Sequence, residues 1–225
     1  MRRGPLAHLV ERFHGMEEVT GSSPVGSTNR NPLWGFYVYV KVVHMSNFQK
    51  LKTLIENNHN SKIVICGNTG SGKSTLGNLI SQAFNIPHIE TDLLTFRTGW
   101  ELRPKDEYQR LLKLQLEKSS WIVDGGGSEV AMGVANHATV IIWLDVSPWG
   151  SLIRVMRRSI KRRHPKHRSP LGQEKFSEII QLIPYILRYK RDRRLNIEKH
   201  ISGHSNLIHI KSWKEVVALM NALKK

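Results

Sequence analysis

Nine consecutive residues, Gly67-Asn68-Thr69-Gly70-Ser71-Gly72-Lys73-Ser74-Thr75, carry the sharpest chemical statement in the chain. They meet the spacing G-x-x-x-x-G-K-[ST], after a β-branched apolar run and before residues of helical period. Glycines at those places let backbone N–H groups turn inward onto phosphate oxygens, and the following helix N-terminus adds partial positive charge. Lys73 is expected to reach the β- and γ-phosphates, and Ser74 to ligate Mg2+. The loop therefore predicts a bound nucleotide, ATP, cradled by residues 67–75. Whether its terminal phosphate goes to water as a switch, to water for motion, or to a second substrate is decided by the other residues.

The elements that must position this loop read as an alternation of strands and helices. "KIVICG" ends in glycine like a buried parallel strand, and Leu76, Leu79, Ile80, Ala83 and Phe84 then recur at helical spacing. "IPHIET", "SWIVDGGG", "ATVIIWLDV" and "NLIHIK" supply four more strands. Pro104 opens a helix bearing Tyr108, Leu111, Leu112 and Leu116, and a long basic helix runs from about Pro148 to Arg163. Ser212 with Glu215 three residues on is a capping box for the last helix. The expected fold class is α/β: a three-layer αβα P-loop NTPase with a five-stranded parallel sheet and a short lid. Ligands then gather at the carboxyl ends of the strands. Asp92, Asp124 and Asp145 lie at such ends; a plain helix N-cap is the alternative role for Asp92 and an equally ordinary one for Asp145.

Composition bounds the partners. The 225 residues suffice for one α/β domain, and a net charge of +16 with a pI near 10.2 attracts polyanions without ranking them. The one cysteine, Cys66, precludes a disulfide within the chain and points to a reducing, cytoplasmic setting. The best apolar run, Leu33 to Val43, is too short to span a bilayer and carries Lys41, so no membrane partner is expected. Eleven histidines are scattered without the cysteine or carboxylate neighbours of a zinc site.

Beyond the phosphate loop, "IPHIETDLL", "SWIVDGGG", "VIIWLDVSPW" and "KSWKEV" resemble the small nucleotide and metabolite kinases, such as adenylate and shikimate kinases. The likeness spans roughly residues 60–220, and is strongest to the bacterial DNA topology modulation proteins, which share the kinase-like fold. It implies transfer of the ATP γ-phosphate to a small acceptor, a nucleotide or a metabolite. Lys73, Asp124, Arg154, Arg158 and Arg191 become the expected catalytic set, with Ser74 and Asp124 on the metal. Asp92, Arg97, Trp100, Gly125 and Gly126 would face the acceptor; the family's usual tryptophan is replaced here by Phe96. A switch GTPase would carry N-K-x-D, which this sequence lacks, and a motor ATPase would normally need a longer chain. A simple ATPase and a nucleic-acid-associated ATP-binding regulator remain the alternatives.

Phosphoryl transfer is carried mostly by positioning and charge. Arg154, Arg158 and Arg162 fall at i, i+4 and i+8 on one helix face, and "KRRHPKHRSPLG" continues as a lid around residues 160–178. The same arginines could equally form a solvated basic face, or neutralise nucleic-acid phosphates. No helix-turn-helix or zinc-finger signature accompanies them, which ranks nucleic acid second among partners. Residues 1–44 differ in character, with the turn-rich "TGSSPVGSTNRNP" resembling a translated transfer-RNA gene segment. Translation is therefore expected to start at Met45, with 45–225 as the kinase-like domain. Mass spectrometry of the native N-terminus checks this: a peptide from residues 1–40 would show the extension to be genuine.

Overall fold

The computed structural model describes residues 47–125, 133–162, 169–172 and 176–224, with backbone only for 176–179. The chain divides into two units, Met1–Gly35 and Phe36–Lys225, and all the described residues belong to the second. The expectations for residues 1–44, for Gly126 and for residues 163–168 and 173–175 of the lid lie outside the described residues.

The five expected strands are β1 (Lys62–Gly67), β2 (His88–Glu90), β5 (Trp121–Asp124), β6 (Val140–Leu144) and β7 (Leu207–Ile210). They form one parallel sheet in the order β2-β5-β1-β6-β7. β1 is central because its residues are apolar on both faces, as a strand covered on both sides requires. Alternation sends Ile63 and Ile65 to one core and Val64 and Cys66 to the other. The first core is closed by α1 (47–56), by α2 (Lys73–Phe84) and by α9 (Trp213–Ala222). Leu51, Ile55, Leu76, Ile80, Val216 and Leu219 are their contributions.

The second core holds Trp121, Trp143 and Tyr189, all buried, with Leu112 and Leu116 of α4 (Lys105–Leu116) packed against it. Tyr189 opens the short α7 (Tyr189–Asp192), and Ile197 and Ile201 come from α8 (Arg194–Ile201). The Trp143 indole N–H donates to the Tyr189 hydroxyl at 3.0 Å, which removes the cost of burying two polar atoms in an apolar layer. Each strand end therefore arrives at a fixed height beside the phosphate loop.

Two further short elements complete the chain between β2 and α4: α3 (Thr91–Thr95) and an antiparallel hairpin, β3 (Phe96–Arg97) with β4 (Glu101–Leu102). The basic helix α5 (Pro148–Arg162) packs on α6 (Phe176–Leu187). At α9, Ser212 Oγ accepts from the Glu215 N–H at 3.3 Å, and the Glu215 carboxylate reaches back to Lys211 N at 3.2 Å. That capping contributes on the order of 1 kcal/mol to helix stability. Among the described residues no helix is long and apolar enough to cross a membrane.

Cys66 is 4% exposed, and burial pushes its thiol pKa up to about 12. The native protein should react with a thiol reagent at neutral pH at least about a hundredfold more slowly than the urea-unfolded chain. Equal rates, read from release of the chromophore, would contradict this packing.

Candidate active site

The phosphate loop is held in shape from several directions. Gly67 has φ +144°, and a Cβ there would lie 2.5 Å from the Leu144 carbonyl oxygen. Gly70 has φ +76°, and its Cβ would meet Ser151 O at 2.6 Å and Val155 Cγ2 at 2.7 Å. Gly72, at φ +97°, is the residue from which α2 starts. Only glycine allows both this left-handed turning and this closeness to β6 and α5. Asn68 is fully buried: its amide donates to Ile186 O at 2.9 Å, while its Oδ1 accepts from Thr69 N at 2.9 Å. The loop is thus tied to the end of α6 as well as to the sheet.

Lys73 Nζ donates to the carbonyls of Asn68 at 2.9 Å and Gly67 at 3.3 Å. Burial lowers its pKa from the ordinary lysine value; the negative charges of Asp124 and then Asp92 oppose that fall, and Arg158 adds to it. Two of the three strand-end carboxylates named from the sequence, Asp124 and Asp92, are therefore close enough for their charge to act on Lys73. Asp124 is fully buried at the end of β5, and one oxygen, Oδ1, receives the His88 Nε2–H at 2.8 Å. Its other oxygen, Oδ2, is enclosed and has no hydrogen-bond partner. An orphaned carboxylate oxygen next to a phosphate loop fits a cation or a cation-bound water, and Ser74 lies on the first turn of α2 beside the same loop. Among the described residues no group of three or more His, Cys, Asp or Glu is placed to hold a metal.

Gly125, at φ +88°, turns the chain beside Asp92: a Cβ there would lie 3.0 Å from Thr91 Oγ1 and 3.6 Å from Asp92 Cγ. Thr91 Oγ1 donates to Asp124 O at 3.0 Å, locking the ends of β2 and β5 together. Glu90, two residues before Asp92, joins this acidic group. Burial, Asp124 and Asp92 raise its pKa, against the lowering influence of His88 and Arg162. Glu90 is not among the residues expected from the sequence, although a strand-end place two residues before Asp92 marks it.

Arg154 is the described arginine that meets the loop most directly from α5. Its Nε donates to Gly70 O at 2.7 Å, its Nη2 to Ser151 Oγ at 3.0 Å, and its guanidinium lies 3.9 Å from the centre of the Trp213 ring. Arg158 is exposed one turn on, close enough for its charge to act on Lys73. Arg191 is not brought to the loop: its side chain is 70% exposed and pairs with Asp192 at 2.6 Å. Arg193 is the residue that arrives instead, stacked 3.3 Å from the Tyr185 ring centre, donating to Tyr185 O and, at 3.3 Å, to Asn68 Oδ1. Asp145, which follows β6, has one enclosed oxygen, Oδ1, without a hydrogen-bond partner, as Asp124 does. It accepts from Arg194 at 2.9 Å and stands 3.3 Å from His209 Nε2, tying β6 to β7 and α8.

On the acceptor side, Arg97 is engaged with Glu107 at 2.5 Å and Glu101 at 3.8 Å, while Arg103 joins Glu107 at 2.6 Å. Those pairs staple the β3–β4 hairpin to α4. Trp100, at φ +63°, packs against Phe96 with ring centres 5.5 Å apart. Gly99 N donates to Leu171 O at 2.7 Å, so the hairpin tip touches residues 169–172. The aromatic pair therefore helps to build the hairpin.

No family model matches the chain. A shikimate kinase from Prochlorococcus marinus (strain NATL2A) is 30% identical over 151 residues, covering 58% of this chain and 72% of that protein. Among solved structures, the shikimate kinase from Bacteroides thetaiotaomicron aligns with 73% of this chain and 97% of its own, at 18% identity and a TM-score of 0.42. A gluconokinase from Sinorhizobium meliloti 1021 aligns with 74% and 95%, at 16% identity and a TM-score of 0.39. TT1252 from Thermus thermophilus aligns with 74% and 96%, at 19% identity and a TM-score of 0.44. With the phosphate loop, the strand-end carboxylates and a relative at 30% identity along most of its length, this chain belongs to the shikimate kinase family of P-loop phosphotransferases, enzymes that move a phosphoryl group onto a small acceptor.

Proposed function

We propose that the protein is a cytoplasmic ATP- and Mg2+-dependent kinase whose acceptor is a small hydroxylated molecule bound between Asp92, Gly125 and the β3–β4 hairpin. One observation carries this reading: past the ends of β5 and β2, a buried Asp124 with an unpartnered oxygen and Asp92 beside the Gly125 turn lie near enough to the loop's Lys73 for their charge to reach it. A triphosphate on the loop then has its terminal phosphate beside carboxylates that can take a proton from an attacking hydroxyl. Gly67 to Thr75 hold the phosphates through backbone N–H groups, and Arg154 fixes the Gly70 turn. Mg2+, when bound, neutralises charge on the β- and γ-oxygens, and Ser74 with Asp124 would hold it.

Asp92, beside the Gly125 turn, is the residue proposed to accept the acceptor's proton. Arg97 is occupied by Glu107 and Glu101, so its role is to brace the hairpin rather than to bind a free anion. Arg158 and Arg193 are proposed as the cations that close over the phosphates with the lid.

Shikimate is the first acceptor to test, because the 30%-identical relative is a shikimate kinase; nucleoside monophosphates follow, from the likeness to nucleotide kinases. ADP release should rise at least about tenfold with the right acceptor, and Lys73→Ala should cut that stimulated rate by roughly 10^2- to 10^4-fold. Turnover at one rate with and without every acceptor would replace the kinase by an ATPase. DNA binding that is steep in salt and survives Lys73→Ala would replace it by a nucleic-acid regulator.

The depressed Lys73 pKa gives a second check. In the free protein the ammonium loses its proton below the ordinary lysine pKa of about 10.4, and a bound phosphate restores it. Nucleotide binding in moderately alkaline buffer should therefore take up protons. Calorimetry in buffers of different ionisation enthalpy reads the sign, and proton release or no change would contradict it.

A further inference from the structure

Behind the phosphate loop lies a polar arrangement that phosphoryl transfer as described does not use. His88 opens β2, Asp124 ends β5, and Asn78 lies on α2, the helix that begins at Lys73. The His88 ring donates from Nε2 to Asp124 Oδ1 at 2.8 Å, and its Nδ1 meets the Asn78 carboxamide at 2.9 Å. The His88 and Asp124 side chains are 5% and 0% exposed, so neither can trade its partner for water. A buried carboxylate with a single hydrogen bond is costly. Here the bond falls on one oxygen alone and leaves Oδ2 enclosed and unpartnered.

The backbone is cut to admit this ring. Gly77 sits inside α2, where glycine weakens a helix relative to alanine. A Cβ at Gly77 would collide with His88 Nε2 and stand 2.8 Å from both Cδ2 and Cε1 of the ring. The helix therefore gives up a better helix former to hold an imidazole against Asp124.

We propose that Asn78, His88 and Asp124 form a positioning relay: Asn78 fixes the ring, the ring fixes Asp124 Oδ1, and Oδ2 is thereby aimed at the reacting phosphate end of the site. His88 touches neither nucleotide nor acceptor and is a positioning residue. The proposal rests on the kinase reading for its kinetic outcome and on geometry alone for the pairing.

His88→Leu should lower kcat about ten- to a hundredfold, the usual effect of removing a partner that orients a liganding group, with the ATP dissociation constant unchanged within about twofold. His88→Gln, whose side-chain amide can also donate to Oδ1, should recover most of that loss. Gly77→Ala, whose added Cβ displaces the ring, should reproduce the His88→Leu defect in kcat, again with the ATP dissociation constant unchanged within about twofold. Asp124→Asn should gain no further defect from His88→Leu. Full kcat in His88→Leu, a Gly77→Ala variant with full kcat, or losses that follow the thermal midpoints with no recovery by Gln would each overturn the relay. The His88 imidazole 15N resonances test the pairing without any acceptor. They should shift in Asp124→Asn, and unshifted resonances would overturn the relay. If they shift while no acceptor stimulates the wild-type protein, the pairing stands and the kinase reading falls.

Discussion

A half-buried ammonium group sets the terms for everything around it. Lys73 must sit where phosphates arrive, yet without them it is a charge partly withdrawn from water, which opposes folding. The protein offsets this with two loop carbonyls, of Asn68 and Gly67, and with the carboxylates of Asp124 and Asp92 at a distance. None of these is a tight ion pair. A tight pair would compete with the nucleotide, whereas the hydrogen bonds that Lys73 donates to carbonyls can be exchanged for bonds to phosphate oxygens at little net cost.

From that constraint the loop's dependence on its neighbours follows. Carbonyls can face Lys73 only if the loop turns through left-handed φ at Gly70 and Gly72, and it can do so only while pressed against Leu144 and Ser151. The clamp on Gly70 O from Arg154 then joins α5 to the loop, and Asn68 joins α6 to it. Arg154 lies on Trp213, whose helix is closed by the Ser212–Glu215 cap. A displacement of α5 or α6 is thus felt at the phosphate cradle through two or three contacts, with no long chain of intermediates.

How much of this the sequence disclosed depends on the range of the interactions involved. The five sheet strands were legible because a strand buried on both faces is a continuous apolar run, and "VIIWL" has no polar face to hide. The β3–β4 hairpin was not, since two residues per strand carry no periodicity and its hold comes from Glu107, on another helix. Arg191 and Arg193 are two residues apart in a run of arginines. The break between α7 and α8, where Arg193 takes φ −126° and ψ −30°, decides which one turns toward Asn68. Spacing alone has no access to that break. Asp145 illustrates the converse: a strand-end carboxylate with the right address, spent on Arg194 and His209 for structure.

Glu90 and His88 occupy a middle ground. Both flank Ile89 on a three-residue strand, so alternation alone puts them on one side and Ile89 on the other. What the pattern could not supply is the gap in α2 at Gly77 that admits the ring, or the burial of Asp124 that makes its partner matter. Charge balance then explains why such a partner is there at all. Three carboxylates, Glu90, Asp92 and Asp124, lie close together, and the Glu90 pKa is raised by burial first and then by repulsion from the other two. A neutral or positive ring on Asp124 relieves that repulsion and directs the remaining oxygen, whereas an aliphatic residue in its place would leave the most deeply buried carboxylate without a hydrogen bond at either oxygen.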